Sequence, residues 1–138
     1  SLHSLGVAKK MMEIGKNKGL STEELNDLFT LGIVHDVGYQ FGTSAMHQKN
    51  GGLVLKKNGY RYWQEVYYHG IIQNEYTSLY LDILNQADMQ IDKMGRDVGY
   101  TGRLEDIKLR YGETSKVYLS CVNLVNFIKK NETLDDKN

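Results

Sequence analysis

The chain has 138 residues, enough for one domain with a core of its own. Its 17 basic and 17 acidic side chains cancel, which argues against a broad nucleic-acid surface or an electrostatic membrane anchor. No apolar run approaches the ~18 residues of a membrane span and no signal peptide is visible, while the single Cys121 excludes an internal disulfide and fits a reducing cytoplasm.

Proline is absent and glycine is frequent, at 14 residues, so long helices punctuated by glycine are expected. His3, Val7, Met11 and Ile14 fall on one face of a first helix, and Gly15 and Gly19 bracket the loop after it. The helical pattern is already running at His3, so an upstream segment or a removed tag is expected. Ser21 with Glu24 makes a capping box and opens a second helix. Its apolar face, Leu25, Leu28, Phe29 and Gly32, continues to His35 and Asp36. The stretch Gly38 to Gly42 is a break. Thr43 or Ser44 caps a third helix with His47, Gly51, Val54 and Leu55 inward, and Asn58-Gly59 closes it. A fourth helix carries Tyr62, Val66, His69 and Gln73 on one stripe, with Trp63 beside it. A fifth, from about Ser78 to Asp92, carries Tyr80, Leu84, Ala87, Asp88 and Ile91. Gly95, Gly99 and Gly102 mark a flexible connection to a short charged helix, Arg103 to Tyr111, stopped by Gly112. A last helix buries Val117, Cys121, Leu124, Val125 and Ile128, and the polar tail from Asn131 to Asn138 is expected to fray. No strand-like alternation persists. The expectation is a single all-α domain of about six or seven helices over residues 1–130, followed by a tail over 131–138. Ten tyrosines against three phenylalanines predict a polar-tipped core or a lined cleft.

The chemistry sits in the histidines. There are four, His3, His35, His47 and His69, and with Asp36 and Asp88 they spell H…HD…H…H…D. Imidazole and carboxylate together suit divalent Zn, Fe, Mn or Ni. The His35-Asp36 pair ends an apolar segment, where an unpaired polar group costs about 2–7 kcal/mol, and a bound ion would remove that cost. Adjacent helical residues diverge by about 100°, so this pair converges on one point only at a helix end, which Gly38 supplies. A lone histidine on an apolar face is more often an ordinary core residue. Six such residues on inward stripes of several helices are better read as one site, as helix bundles build them.

The residues that carry a resemblance are His3 in His3-Ser4-Leu5-Gly6-Val7-Ala8, the pair in Gly32-Ile33-Val34-His35-Asp36-Val37-Gly38, and Asp88 in Leu84-Asn85-Gln86-Ala87-Asp88-Met89. In these the chain resembles the HD-domain metal-dependent phosphohydrolases over residues 2–112. The resemblance implies the helical HD fold and a first metal held by His3, His35, Asp36 and Asp88. His47 with Gly51, and the pair Tyr68-His69, resemble the extra histidines of a di-metal branch that includes the symmetrical diadenosine-tetraphosphate hydrolases. There they bind a second ion. Two positions depart from that branch: Tyr39 stands where lysine is common, and Gly70-Ile71 where a Thr-Gly pair is.

The implied function is hydrolysis of a phosphoester or phosphoanhydride, of a small phosphorylated molecule such as a nucleotide, by a water that one or two divalent ions activate. Asp36 and His35 are the catalytic candidates, with Asp36 bridging the ions, since carboxylate oxygens readily span two metals. Arg96, Arg103 and Arg110 follow the metal helix and are candidates for holding phosphate; their bland reading is solvated helix faces with local pairs such as Arg103 to Asp106. The competing readings are a catalytically silent module that senses a nucleotide, and a structural helical domain with chance histidines.

Overall fold

The computed structural model describes residues 1–42 and 46–137. The cap expected at Thr43 or Ser44 lies outside the described residues. Among the described residues the chain forms seven α-helices and one 3-10 turn, and its only strand-like feature is an isolated bridge between Ile91 and Asp97.

Helix α1 (Leu2–Asn17) starts at Ser1, whose hydroxyl accepts from the Ser4 amide. It runs through Gly15 rather than stopping there. Gly15 is buried where the side chains of Leu25 and Leu28 press on it, and Gly19, at φ +76°, makes the turn. Helix α2 (Thr22–Val34) opens with the capping box of Ser21 and Glu24, both reciprocal bonds present. The two helices pack along their length. They approach closely at Gly32, where an added Cβ would fall 2.5 Å from the Cα of Ala8.

After α2 the chain tightens into the 3-10 turn Val37–Gln40, then continues through α3 (His47–Lys57) and the short α4 (Trp63–Tyr68). Gly38 has no room for a side chain, because the backbone carbonyl of His47 occupies that space. This contact seats the turn on the start of α3. Helix α4 ends at Tyr68, so Gln73 does not extend its stripe. Gln73 instead shapes the next loop: its Oε1 accepts from the amides of Glu75 and Tyr76, and its Nε2 donates to the Tyr76 carbonyl.

Helix α5 (Leu79–Asp88) is capped by Ser78 and stops four residues short of the expected Asp92. The reason is Asp92 itself. Its carboxylate accepts from the amides of Met94 and Arg96 and from the Arg96 Nε, and its own amide donates to the Arg96 carbonyl. These bonds fold the segment into a loop. Helix α6 (Gly99–Tyr111) starts earlier than expected, taking in Gly99 and Gly102, and ends at Gly112 with φ +95°. Helix α7 runs from Lys116 to Lys137, so most of the expected frayed tail is helical. Glu132 accounts for part of this, accepting a 2.6 Å hydrogen bond from the Tyr100 hydroxyl of α6.

Two hydrophobic clusters hold these elements. The larger joins Val7 and Met11 of α1, Leu28 and Leu31 of α2, Val66 of α4, and Ile83, Leu84 and Ala87 of α5. The smaller sets Met89 and Ile107 against Leu124, Val125 and Ile128 of α7. Each fully buried Leu or Ile contributes about 1.5–3 kcal/mol of apolar burial. The tyrosines serve both expected purposes. Tyr62 donates to Asp27, and Tyr76 donates to the buried Glu65, so their rings pack while their hydroxyls stay bonded. Tyr39 and Tyr111 line a cavity. No described helix is long and apolar enough to cross a membrane.

Candidate metal centre

The six candidate ligands converge. His3 stands in the first turn of α1, His35 is the C-cap of α2, and Asp36 begins the 3-10 turn. His47 opens α3, His69 is the C-cap of α4, and Asp88 ends α5. The His35-Asp36 pair can face one point because α2 ends at Val34: Asp36 takes φ −99°, ψ 14° and leaves the helical path. Ligand atoms of His3, His35 and Asp88 lie within 4.8 Å of one another, and so do those of His35, Asp36 and His69.

Asp36 divides the cluster. Its Oδ2 lies 3.2 Å from His35 Nε2 and 3.6 Å from His3 Nε2. Its Oδ1 lies 3.4 Å from His47 Nε2 and 3.6 Å from His69 Nε2. Asp88 belongs to the first side, with Oδ1 2.8 Å from His3 Nε2 and 3.5 Å from His35 Nε2. Each oxygen of one carboxylate thus serves its own pair of imidazoles.

Backbone carbonyls set the orientation of three rings. His35 Nδ1 donates to Gly32 O at 2.7 Å and His69 Nδ1 to Val66 O at 2.6 Å, each reaching back three residues at a helix end. His3 Nδ1 donates to Asp92 O at 3.0 Å. A carbonyl only accepts, so each Nδ1 carries the proton and each Nε2 of the neutral ring presents a lone pair. Those lone pairs point at carboxylate oxygens, an arrangement that needs a proton or a cation between them. His35 makes the point most sharply: its side chain is wholly buried, and Nε2 has no hydrogen-bond partner among the described residues. An orphaned buried nitrogen facing carboxylates fits a divalent ion, and the mixed histidine–aspartate donor set suits Fe, Mn, Ni or Zn.

The charges agree. Burial alone would raise Asp36 and Asp88, but the imidazoles around them hold both carboxyls well below the ordinary carboxylate range: His35, His47 and His69 for Asp36, His3 and His35 for Asp88. Burial would lower His35, yet Asp36 and Asp88 outweigh it and hold the imidazole well above its ordinary value. The ligand carboxylates are therefore ionised. One proton on His35 would offset only one of these two negative charges, whereas a divalent ion would offset both and take the place of that proton.

A cavity of about 690 Å³ opens beside the cluster, within the range of small-molecule sites. Its wall is largely apolar, with Leu2, Ile33, Val37 and Met94, and carries the cations Lys93, Arg103 and Arg110. Asp36, Tyr39, Arg103, Arg110 and Tyr111 also border a smaller recess of about 160 Å³ over His47, His69 and Asp88. Arg103 is held in place, its Nε donating to the Asp88 carbonyl at 3.2 Å and its Nη1 to Asp106 at 3.1 Å. Arg96 is not brought to the cavity. Its side chain is 73% exposed and pairs with Asp92, whose loop geometry claims it. Lys93, Tyr111 and the carbonyl anchors were not found by sequence reasoning. Lys93 lies in a loop without periodicity, and carbonyls carry no sequence signal.

Fold and site together define an all-helical protein with a histidine–aspartate cluster fitted to divalent metal. A family model described as the HD domain matches residues 1–111, and the chain belongs to that family. HD domains generally bind divalent metals and are hydrolase-like. No curated protein and no solved structure gives a significant match.

Proposed function

We propose that the protein is a metal-dependent phosphohydrolase that cleaves a phosphoester or phosphoanhydride bond of a small phosphorylated molecule, a nucleotide being the favoured kind. The observation that carries this reading is the divided Asp36 carboxylate, with one oxygen toward His3 and His35 and the other toward His47 and His69. That arrangement suits two ions, the first held by His3, His35, Asp36 and Asp88 and the second by His47, His69 and Asp36. Divalent ions so held supply Lewis acidity toward phosphoryl oxygens and acidify water, the chemistry hydrolysis needs at neutral pH.

The chain's own residues do the rest. Arg103, fixed by Asp88 O and Asp106, lines the cavity with N–H donors to spare, and these suit phosphoryl oxygens. Arg110, two helical turns along α6, adds a second cation to the same wall. Leu2, Ile33, Val37 and Met94 offer an apolar surface to the organic part of the substrate. Asp36 keeps the two histidine pairs in register.

The test is turnover of a panel of nucleoside mono-, di- and triphosphates and of p-nitrophenyl phosphate and its bis-ester, with Mn²⁺, Fe²⁺ or Ni²⁺ added to chelated protein. We expect hydrolysis that depends on the ion and is lost in chelator. An ion bound without any turnover would replace this reading with the silent nucleotide-sensing module.

A further inference from the structure

We infer that Tyr39 is a positioning residue for the second metal half-site, acting through His47. The inference rests on the two-ion reading above. The phenol ring of Tyr39 lies flat on the imidazole of His47, with centroids 4.0 Å apart and planes 8° from parallel. The lone pair of a ring nitrogen lies in the plane of the ring. Whatever fixes the plane of His47 therefore fixes the direction in which Nε2 points, here toward Asp36 Oδ1 at 3.4 Å. His3, His35 and His69 have their planes set by Nδ1–H bonds to carbonyls. The stack on Tyr39 restrains the plane of His47 in the same sense, beside the other interactions that ring makes.

Packing alone is a poor account of Tyr39. The residue is 55% exposed, and it belongs to neither hydrophobic cluster. It is nevertheless held firmly. Its amide donates to Asp36 O at 3.1 Å within the 3-10 turn, and the turn sits against α3 at Gly38. One turn thus carries both the carboxylate that divides the cluster and the ring that aligns a ligand from the next helix. Tyr39 also stands at the border of the large cavity and the small recess, so its ring covers the His47 side of the centre.

The experiment is a titration of chelated protein with Co²⁺, followed by calorimetry and by the visible absorption of the bound ion, on wild type, Tyr39→Phe, Tyr39→Leu and Tyr39→Ala. Wild type should take up two ions in two steps, and Tyr39→Phe, which keeps the stack, should match it. Tyr39→Ala and Tyr39→Leu should keep the first step and weaken the second by about 10-fold, the lower end of what outer partners of metal ligands contribute. Combining Tyr39→Ala with His47→Ala should add nothing to the loss from His47→Ala alone. A merely structural role would weaken both steps together and lower the melting temperature in parallel. The Leu variant keeps bulk if Ala does not fold. An unaltered second step in Leu or Ala, or a Phe variant as weak as Ala, would overturn the inference and leave the two-ion reading standing. A wild-type protein that takes up one ion overturns both.

Discussion

At the scale of single residues, the proposed chemistry turns on Asp36. We expect Asp36→Ala to abolish metal-dependent hydrolysis and reduce metal content while the fold survives. Misplacing a reacting group by even ~1 Å costs about 10²-fold in rate, and the alanine removes the group that sets the spacing. The core residues Leu28, Leu31, Ile83 and Leu84 are untouched. Turnover and melting curves of wild type and variant side by side decide it; a variant with full activity leaves no catalytic part for Asp36. Asp92 is a second case. Burial would raise its carboxyl, but hydrogen bonds from the Arg96 backbone and side chain and from the Met94 amide hold it below the ordinary value. A depressed folded pKa gives stability that is present above the unfolded value of about 3.9 and is lost as pH falls through the folded one. Asp92→Ala should therefore cost about 1–3 kcal/mol at neutral pH, and the gap to wild type should close in acid. Urea midpoints at the two pH values measure this, and an equal gap at both would show that the ionised carboxylate does not carry the loop. That these residues belong together was legible in the sequence, because histidine and aspartate beside apolar neighbours demand a partner. The carbonyls that orient the histidines were not, since every residue has one and only the fold selects Gly32, Val66 and Asp92.

At the scale of elements, the metal centre depends on how closely α1 and α2 approach. One contributes His3 and the other ends in His35, and Gly32 against Ala8 sets the gap between them. Gly32→Ala should force the pair apart at a cost of about 1–3 kcal/mol, more than the small gain in helix propensity returns. It should also weaken the first ion, since His3 and His35 move with their helices. Chemical unfolding together with metal affinity tests this, and an alanine variant of wild-type stability and affinity would show that the interface yields. Two helix starts were well marked in the sequence, because Ser21 with Glu24 and Ser78 cap through local bonds that residue type alone predicts, whereas α6, with no side-chain cap, begins at Gly99 and not at the expected Arg103. Helix ends set by tertiary bonds were not. The stop at Asp88 depends on the Asp92 loop, and the extension of α7 draws on Tyr100 meeting Glu132 across two helices. Gly15 misled for a related reason: it is small to admit Leu25 and Leu28, not to break α1.

At the scale of the whole molecule, the ligands come from residues 3 to 88, so the centre exists only when five helices have found their places. The all-helical class was legible because apolar residues recur at helical spacing and no strand-like alternation persists, whereas the cavity was not, being made of side chains distant in sequence. The contact between His3 and Asp88 joins residues 85 apart. Closing so long a loop costs chain entropy before the contact returns anything, which places the pair late in folding. Interactions made after the folding barrier alter the rate of coming apart and leave the rate of assembly alone. An ion drawn to that pair is thus a latch and not a nucleus. At a metal concentration about 100 times its dissociation constant, stabilisation of about 2.7 kcal/mol should appear almost wholly as unfolding about 100-fold slower, with refolding unchanged. Stopped-flow measurements with and without chelator would show it, and refolding accelerated by metal would place the pair at the start of folding instead. A latch of this kind governs persistence: chelation would leave the folded shape in place at first and shorten the time each molecule spends in it.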